Sequence, residues 1–84
     1  MGMIQNKQKI SFLEKKGNLT PREKKILTLV ASGYSDKIIS DRLQISPNTV
    51  KTHIRRTLVK LEAANRSEAV ARASALGLIS PVDQ

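Results

Sequence analysis

The sequence contains no cysteine, a single histidine (His53) and only two aromatic residues, Phe12 and Tyr34. Without cysteine the chain can form neither a disulfide framework nor a cysteine-based zinc finger, and one histidine cannot supply a histidine-rich metal site. Two aromatic side chains are too few for the stacking platforms that single-strand nucleic-acid binders use. We therefore expect no metal and no cofactor, and a single-stranded ligand is disfavoured.

Long apolar runs and acidic residues are also scarce. No apolar stretch approaches the ~18–20 residues of a membrane span, and no apolar segment follows the N-terminal lysines as in a secretion signal. Only 7 Asp and Glu stand against 15 Lys and Arg, a net charge of +8 over 84 residues. Such a balance is typical of a small domain that binds a polyanion. We expect a cytoplasmic, nucleoid-associated protein whose ligand is double-stranded DNA, with no membrane contact.

Start and stop signals divide residues 19–84 into four helices, and no segment alternates as a strand would. Thr20-Pro21-Arg22-Glu23 is a capping box with proline in the first turn. The predicted helices span about 21–32, 36–43, 47–61 and 67–76, and the last begins after Asn65 or Ser67. We predict an all-α, tetrahelical bundle over residues 19–84, preceded by a basic arm or linker over residues 1–18.

Only Gln44, Ile45 and Ser46 separate the second and third predicted helices. Two helices joined so tightly cross steeply, which is the helix-turn-helix arrangement. Ser40 is small enough for the close approach of the third helix. One residue of such a turn tends towards positive φ, where glycine is preferred, so Gln44 is expected to cost about 1 kcal/mol.

The third predicted helix carries charge of one sign. If its apolar stripe of Val50, Ile54, Leu58 and Leu61 faces inward, the residues that face outward are Asn48, Lys51, Thr52, Arg55 and Val59. Its charged residues are all cationic: Lys51, Arg55, Arg56 and Lys60. A solvent-exposed helix usually carries both positive and negative side chains, whereas the major groove of B-DNA accommodates one basic helix. We predict base contacts from Lys51, Thr52 and Arg55.

Six further residues flank this face and are predicted to contact phosphates: Lys37, Ser46, Asn48, Thr49, His53 and Arg56. Thr49 could equally satisfy capping amides. His53 is expected to be a packed, hydrogen-bonded side chain or a phosphate contact, not a ligand or a catalyst. Asp36, Asp41 and His53 form no convincing catalytic group and no glycine-rich phosphate loop is present, so we predict no enzymatic activity.

Small residues recur in the fourth predicted helix and permit the close approach of another helix. We predict a homodimer contact through Ala69, Ala73 and Leu76, although the alanines could reflect only helix propensity and packing on the first helix. A two-fold symmetric dimer would match an inverted-repeat operator.

Three segments together resemble one family: LTPRE from Leu19, SPNTVKTH from Ser46, and the KL…R.EA pattern that ends at Ala69. From Leu19 to Ile79 the chain resembles the LuxR-type (GerE/NarL/FixJ) DNA-binding domain. The resemblance implies a tetrahelical domain that binds DNA as a dimer and regulates transcription, with RNA polymerase as a further partner. It also implies that Thr49 and His53 lie near the DNA backbone and that the fourth helix bears the dimer contact.

The sequence departs from the family pattern at Ser40, where alanine is usual, at Ile38, where a polar residue is usual, and at Gln44 and Glu62, where glycine is common. No ligand-sensing unit fits beside the domain, so we expect no small-molecule ligand within this chain. The chain is either a stand-alone regulator, which Met1 favours, or the effector domain of a response regulator.

Two other binding modules remain to be weighed. The promoter-reading fourth region of sigma factors also begins LTPRE-like, but its reading helix carries an acidic residue and this one has none. A basic protein of the nucleoid or of RNA would bind any polyanion and would not distinguish specific from random duplexes.

Overall fold

The computed structural model describes residues 19–80, which form four α-helices and no strand. The helices are α1 (Pro21–Ala31), α2 (Asp36–Leu43), α3 (Pro47–Leu61) and α4 (Arg66–Ala75). They confirm the predicted all-α tetrahelical fold, and each end lies within one residue of its predicted position. The predicted arm over residues 1–18 lies outside the described residues. Within residues 19–80, no helix combines the length and the apolar character that crossing a membrane requires.

Side-chain caps determine where the helices begin. At α1 the Glu23 amide donates to the Thr20 hydroxyl at 3.0 Å, and the Thr20 amide donates to the Glu23 carboxylate at 2.9 Å. At α4 the cap is Asn65 and not Ser67, because the Asn65 side chain accepts a 2.8 Å hydrogen bond from the Glu68 amide. These bonds satisfy amides that have no partner within the first turn of a helix.

Two clusters of buried side chains form the core, and α1 and α3 contribute to both. One cluster joins α1, α3 and α4 and consists of Leu19, Leu27, Leu61, Ala69, Ala73 and Ile79. The other joins α1, α2 and α3 and consists of Ile26, Ile39, Val50 and Ile54. Helix α3 is thereby held along its whole length, by α2 near its N-terminus and by α4 near its C-terminus.

Thr57 is buried within the apolar inner face of α3, where the sequence pattern predicts no polar residue. Its hydroxyl donates to the His53 carbonyl at 2.8 Å. A buried hydroxyl is tolerated when it is hydrogen-bonded, so the threonine fits this face without a partner from another helix.

A buried ion pair joins α1 to α3. The Lys60 ammonium lies 2.8 Å from the Glu23 carboxylate, whose side chain is only 3% exposed. Burial alone raises the pKa of Glu23, but the hydrogen bonds from Lys60 and Thr20 together outweigh it and hold this pKa below its ordinary value. The same carboxylate closes the α1 cap. Glu23 therefore stabilises the start of one helix and the contact between two.

We expect Glu23→Gln to lower the free energy of unfolding near pH 7 by about 1–3 kcal/mol, because the charge-assisted hydrogen bond between the buried Glu23 carboxylate and Lys60 is lost. The folded-state pKa of Glu23 is lowered, so its contribution is present above the unfolded value of about 4.5 and is lost as the pH falls through the folded value. The variant should accordingly lose less stability than the parent chain on acidification. Urea titrations at several pH values measure both effects.

Lys60→Met and the double variant complete a thermodynamic cycle with Glu23→Gln. The two single changes should be strongly non-additive, since each removes the same ion pair. Additive losses would show that the ion pair contributes nothing to the contact between α1 and α3.

Candidate nucleic-acid interface

A three-residue turn connects α2 to α3 and determines their crossing. Gln44 adopts the left-handed conformation, with φ 59° and ψ 45°, at the turn where a positive φ was expected. The Ile45 amide donates to the Ser40 carbonyl at 3.0 Å, which closes the end of α2. Ser40 is buried, and its hydroxyl donates to the Lys37 carbonyl at 2.8 Å. The geometry is that of a helix-turn-helix, and α3 occupies the place of its recognition helix.

The inner face of α3 determines which residues face outward. Ile39 of α2 and Val50 of α3 are both completely buried in the same cluster. Because side chains follow one another by about 100° around a helix, burying Val50 and Ile54 turns the face that contains Lys51 and Arg55 to solvent. Both cations are exposed.

The outward cations of α3 have no acidic partner. Within residues 19–80, neither Lys51, Arg55 nor Arg56 forms an ion pair with a carboxylate. The fourth cation of the helix, Lys60, instead points inward to Glu23. The outer face therefore carries positive charges that form no direct ion pair with a nearby carboxylate. An anion-binding surface requires such charges.

Thr52 lies half-buried between these cations. Its hydroxyl donates to the Asn48 carbonyl at 3.0 Å, so its hydrogen is already used within the helix. What Thr52 offers to a ligand is its methyl group and the lone pairs of its oxygen.

The first turn of α3 is a capped N-terminus that faces solvent. The Ser46 hydroxyl accepts from the Thr49 amide at 3.0 Å and lies 2.9 Å from the Thr49 hydroxyl. Ser46 therefore caps the Thr49 amide, and the Thr49 hydroxyl bonds to the Ser46 hydroxyl and not to a capping amide. Two hydroxyls share one hydrogen bond, so one hydroxyl hydrogen stays free for an outside acceptor. Asn48 is exposed beside them.

The other predicted phosphate contacts differ in their exposure and in the partners they already have. Arg56 is exposed, and Lys37 is exposed but lies 3.6 Å from Asp41 one turn further along α2. His53 is half-buried, and within the described range its Nδ1 is buried without a hydrogen-bond partner. No hydrogen bond therefore forms at Nδ1 within residues 19–80, and the phosphate contact of His53 stays a prediction.

An ion pair between α4 and α2 could not be recognised from the sequence. The Arg66 guanidinium binds the Asp36 carboxylate through two hydrogen bonds, at 2.6 and 2.8 Å, and so joins α4 to α2. These bonds lower the pKa of Asp36, as does the positive charge of Lys51. Asp36 is thus within electrostatic range of the outer face of α3, and Arg66 offsets its charge. The partners lie 30 residues apart, so no local pattern could reveal them.

The structure corrects part of the predicted dimer contact. Ala69 and Ala73 are completely buried in the core of their own chain, so neither side chain can contact a second copy. They are small because α4 packs closely on α1 and α3, the alternative that the sequence left open. Leu76, at the end of α4, is 40% exposed.

Known proteins share this fold and much of this sequence. Residues 17–73 match the model of the bacterial regulatory proteins of the luxR family, GerE. The solved structure of the transcription factor GerE superposes with a TM-score of 0.73 at 43% identity, covering 75% of this chain and 94% of that one.

Curated relatives are longer regulators. The chain is 52% identical over 56 residues to the uncharacterized transcriptional regulatory protein YhcZ of Bacillus subtilis (strain 168), which is 67% of this chain and 26% of that protein. It is 46% identical over 54 residues to the monoamine regulon transcriptional regulator of Klebsiella aerogenes, 64% of this chain and 24% of that protein. It is 42% identical over 71 residues to the HTH-type transcriptional regulator MalT of Vibrio cholerae, 84% of this chain and 8% of that protein.

The chain therefore spans about a quarter or less of the length of these relatives. With the family model matched over most of its length and the same fold in GerE, this chain belongs to the luxR family of bacterial regulatory proteins and is a DNA-binding domain of a transcription regulator, not an enzyme.

Proposed function

We propose that the chain reads a specific sequence of double-stranded DNA by placing α3 in the major groove. The observation that carries this proposal is the outer face of α3, where Lys51, Arg55 and Arg56 have no acidic partner among residues 19–80. The helix is held rigidly from behind by two core clusters. A rigid, basic helix is suited to the major groove, whose width is ~12 Å.

Each contact residue has a role that follows from its chemistry. Lys51 and Arg55 donate to guanine O6 and N7, and the Thr52 methyl group contacts a thymine methyl. Phosphates are bound by the α3 N-terminus with Ser46, Asn48 and Thr49, and by Lys37, His53 and Arg56 on the flanks. The free hydroxyl hydrogen of the Ser46–Thr49 pair would be donated to a phosphate oxygen.

We also propose that two copies bind an inverted repeat as a homodimer, with Leu76, the C-cap of α4, in the contact. Two-fold symmetry of the protein would then match two-fold symmetry of the operator. We further propose that the protein regulates transcription in the cytoplasm, in association with the nucleoid. RNA polymerase would be a further partner.

We expect Lys51→Ala or Arg55→Ala to weaken binding to the preferred duplex by about 1–3 kcal/mol and to relax its sequence choice. The preferred duplex is selected from a random pool with the unaltered chain, and affinities are measured on it and on random DNA. Lys25→Ala, which removes an exposed cation from α1, is the matched control and should leave the choice unchanged. Equal losses on both duplexes would indicate a polyanion binder without base reading.

Arg56→Ala should weaken all duplexes together, because a phosphate contact carries no sequence information. The slope of log K against log salt should fall in magnitude by about one unit. Lys37→Ala provides a comparison, since Asp41 already offsets part of that charge. An unchanged slope for Arg56→Ala would remove this residue from the phosphate contacts.

Leu76→Asp should abolish dimer formation and weaken binding to an inverted repeat far more than to a single half-site, because a charge would be buried in the contact. Analytical sedimentation measures dimer formation, and binding titrations measure the affinity for the inverted repeat and for the half-site. Ile38→Asp places the same charge on an exposed apolar position of α2 and should leave self-association unchanged. A Leu76→Asp chain that still dimerises would place the contact elsewhere.

A further inference from the structure

We propose that Val59 extends the reading face of α3 by one turn and contacts the 5-methyl group of a thymine in the major groove. The proposal rests on the proposed function, since it requires α3 to lie in that groove. It assigns a role in sequence specificity to a residue for which the sequence pattern predicts only an outward orientation.

Val59 is the most exposed large apolar side chain among residues 19–80, at 72%, against 45% for Ile38 and 40% for Leu76. It belongs to neither core cluster, and no neighbouring helix covers it. A β-branched residue is also a weaker helix former than the charged residues common at exposed positions. Neither packing nor helix propensity therefore explains a valine here.

The position of Val59 on α3 connects it to the proposed DNA contacts. At 3.6 residues per turn it lies within about 20° of Asn48 and Thr52 around the helix, and about 6 Å beyond Arg55 along the axis. Arg55 and Arg56, four and three residues earlier, are its neighbours on the surface. An apolar side chain flanked by two cations without acidic partners is suited to a polyanion that has apolar groups between its charges.

The ends of this surface limit what Val59 can meet. Lys60, the next cation, is directed to Glu23, and Glu62 is an exposed acid just past the helix end. The negative charge of Glu62 disfavours a phosphate there. Valine cannot donate or accept a hydrogen bond, and the thymine methyl is the apolar group that base edges present in the major groove. A base contact is therefore favoured over a backbone contact.

The test uses the full chain, Val59→Ala, and the duplex that the unaltered chain selects from a random pool. Each thymine of that duplex is replaced in turn by deoxyuridine, which removes only the methyl group. Alanine favours the helix more than valine does, so the variant should fold, and circular dichroism confirms it. Ile38→Ala is the control for loss of an exposed apolar side chain outside α3.

We expect one replacement, at the edge of a half-site, to weaken binding of the unaltered chain about fourfold, the effect of one buried methyl group. Val59→Ala should bind the original, thymine-containing duplex about as weakly as the unaltered chain binds the duplex with that replacement. The affinity of Val59→Ala should not change when that thymine is replaced. Ile38→Ala should keep the parent chain's sensitivity at every position.

Equal sensitivity of Val59→Ala and the parent chain at every thymine would overturn the proposal and leave the proposed function intact. So would a loss of self-association in Val59→Ala, which would assign the side chain to a second copy. A random pool that yields no shared sequence would remove the proposed function and this inference together.

Discussion

Burial of the inner face of α3 is the constraint on which the rest of the structure depends. Val50 and Ile54 pack against α2 and α1, and Leu61 packs in the cluster that includes α4. Because both ends of α3 are held, its rotation about its own axis is determined. That rotation decides which residues face outward, and the orientation of Lys51 and Arg55 follows from apolar packing on the opposite side.

The acidic residues contribute to the same surface by where they are placed. Of the five acids in residues 19–80, Glu23, Asp36, Asp41 and Glu68 each pair with a cation: Lys60, Arg66, Lys37 and Arg72. None of these carboxylates pairs with the outer face of α3. Glu23 and Asp36 in particular join helices that are distant in sequence. Those two acids stabilise contacts between helices, whereas Asp41 and Glu68 pair within their own helices, and all four leave the basic face open to an anion.

Two turns adopt left-handed backbone without glycine. Gln44 and Glu62 have φ values of 59° and 54°, and each costs about 1 kcal/mol relative to glycine. The following amides, of Ile45 and Ala63, donate to carbonyls of the last helical turn, which satisfies groups that a helix end leaves unpaired. These bonds and the packing of Ile45 against the core offset the cost, so both turns keep a left-handed residue that is not glycine.

The four helices, their caps and the outward cations could be predicted from the sequence, because each depends on residues within one or two turns of one another. The capping box at Thr20 and the period of the apolar residues in α3 are local signals, and the structure has both. The roles of Ala69 and Ala73 could not be predicted, since a small residue suits a core and a dimer contact equally. Only the packing of α4 on α1 and α3 buried them. The Asp36–Arg66 and Glu23–Lys60 pairs likewise required the tertiary structure, which brings together residues 30 and 37 positions apart that share no local pattern.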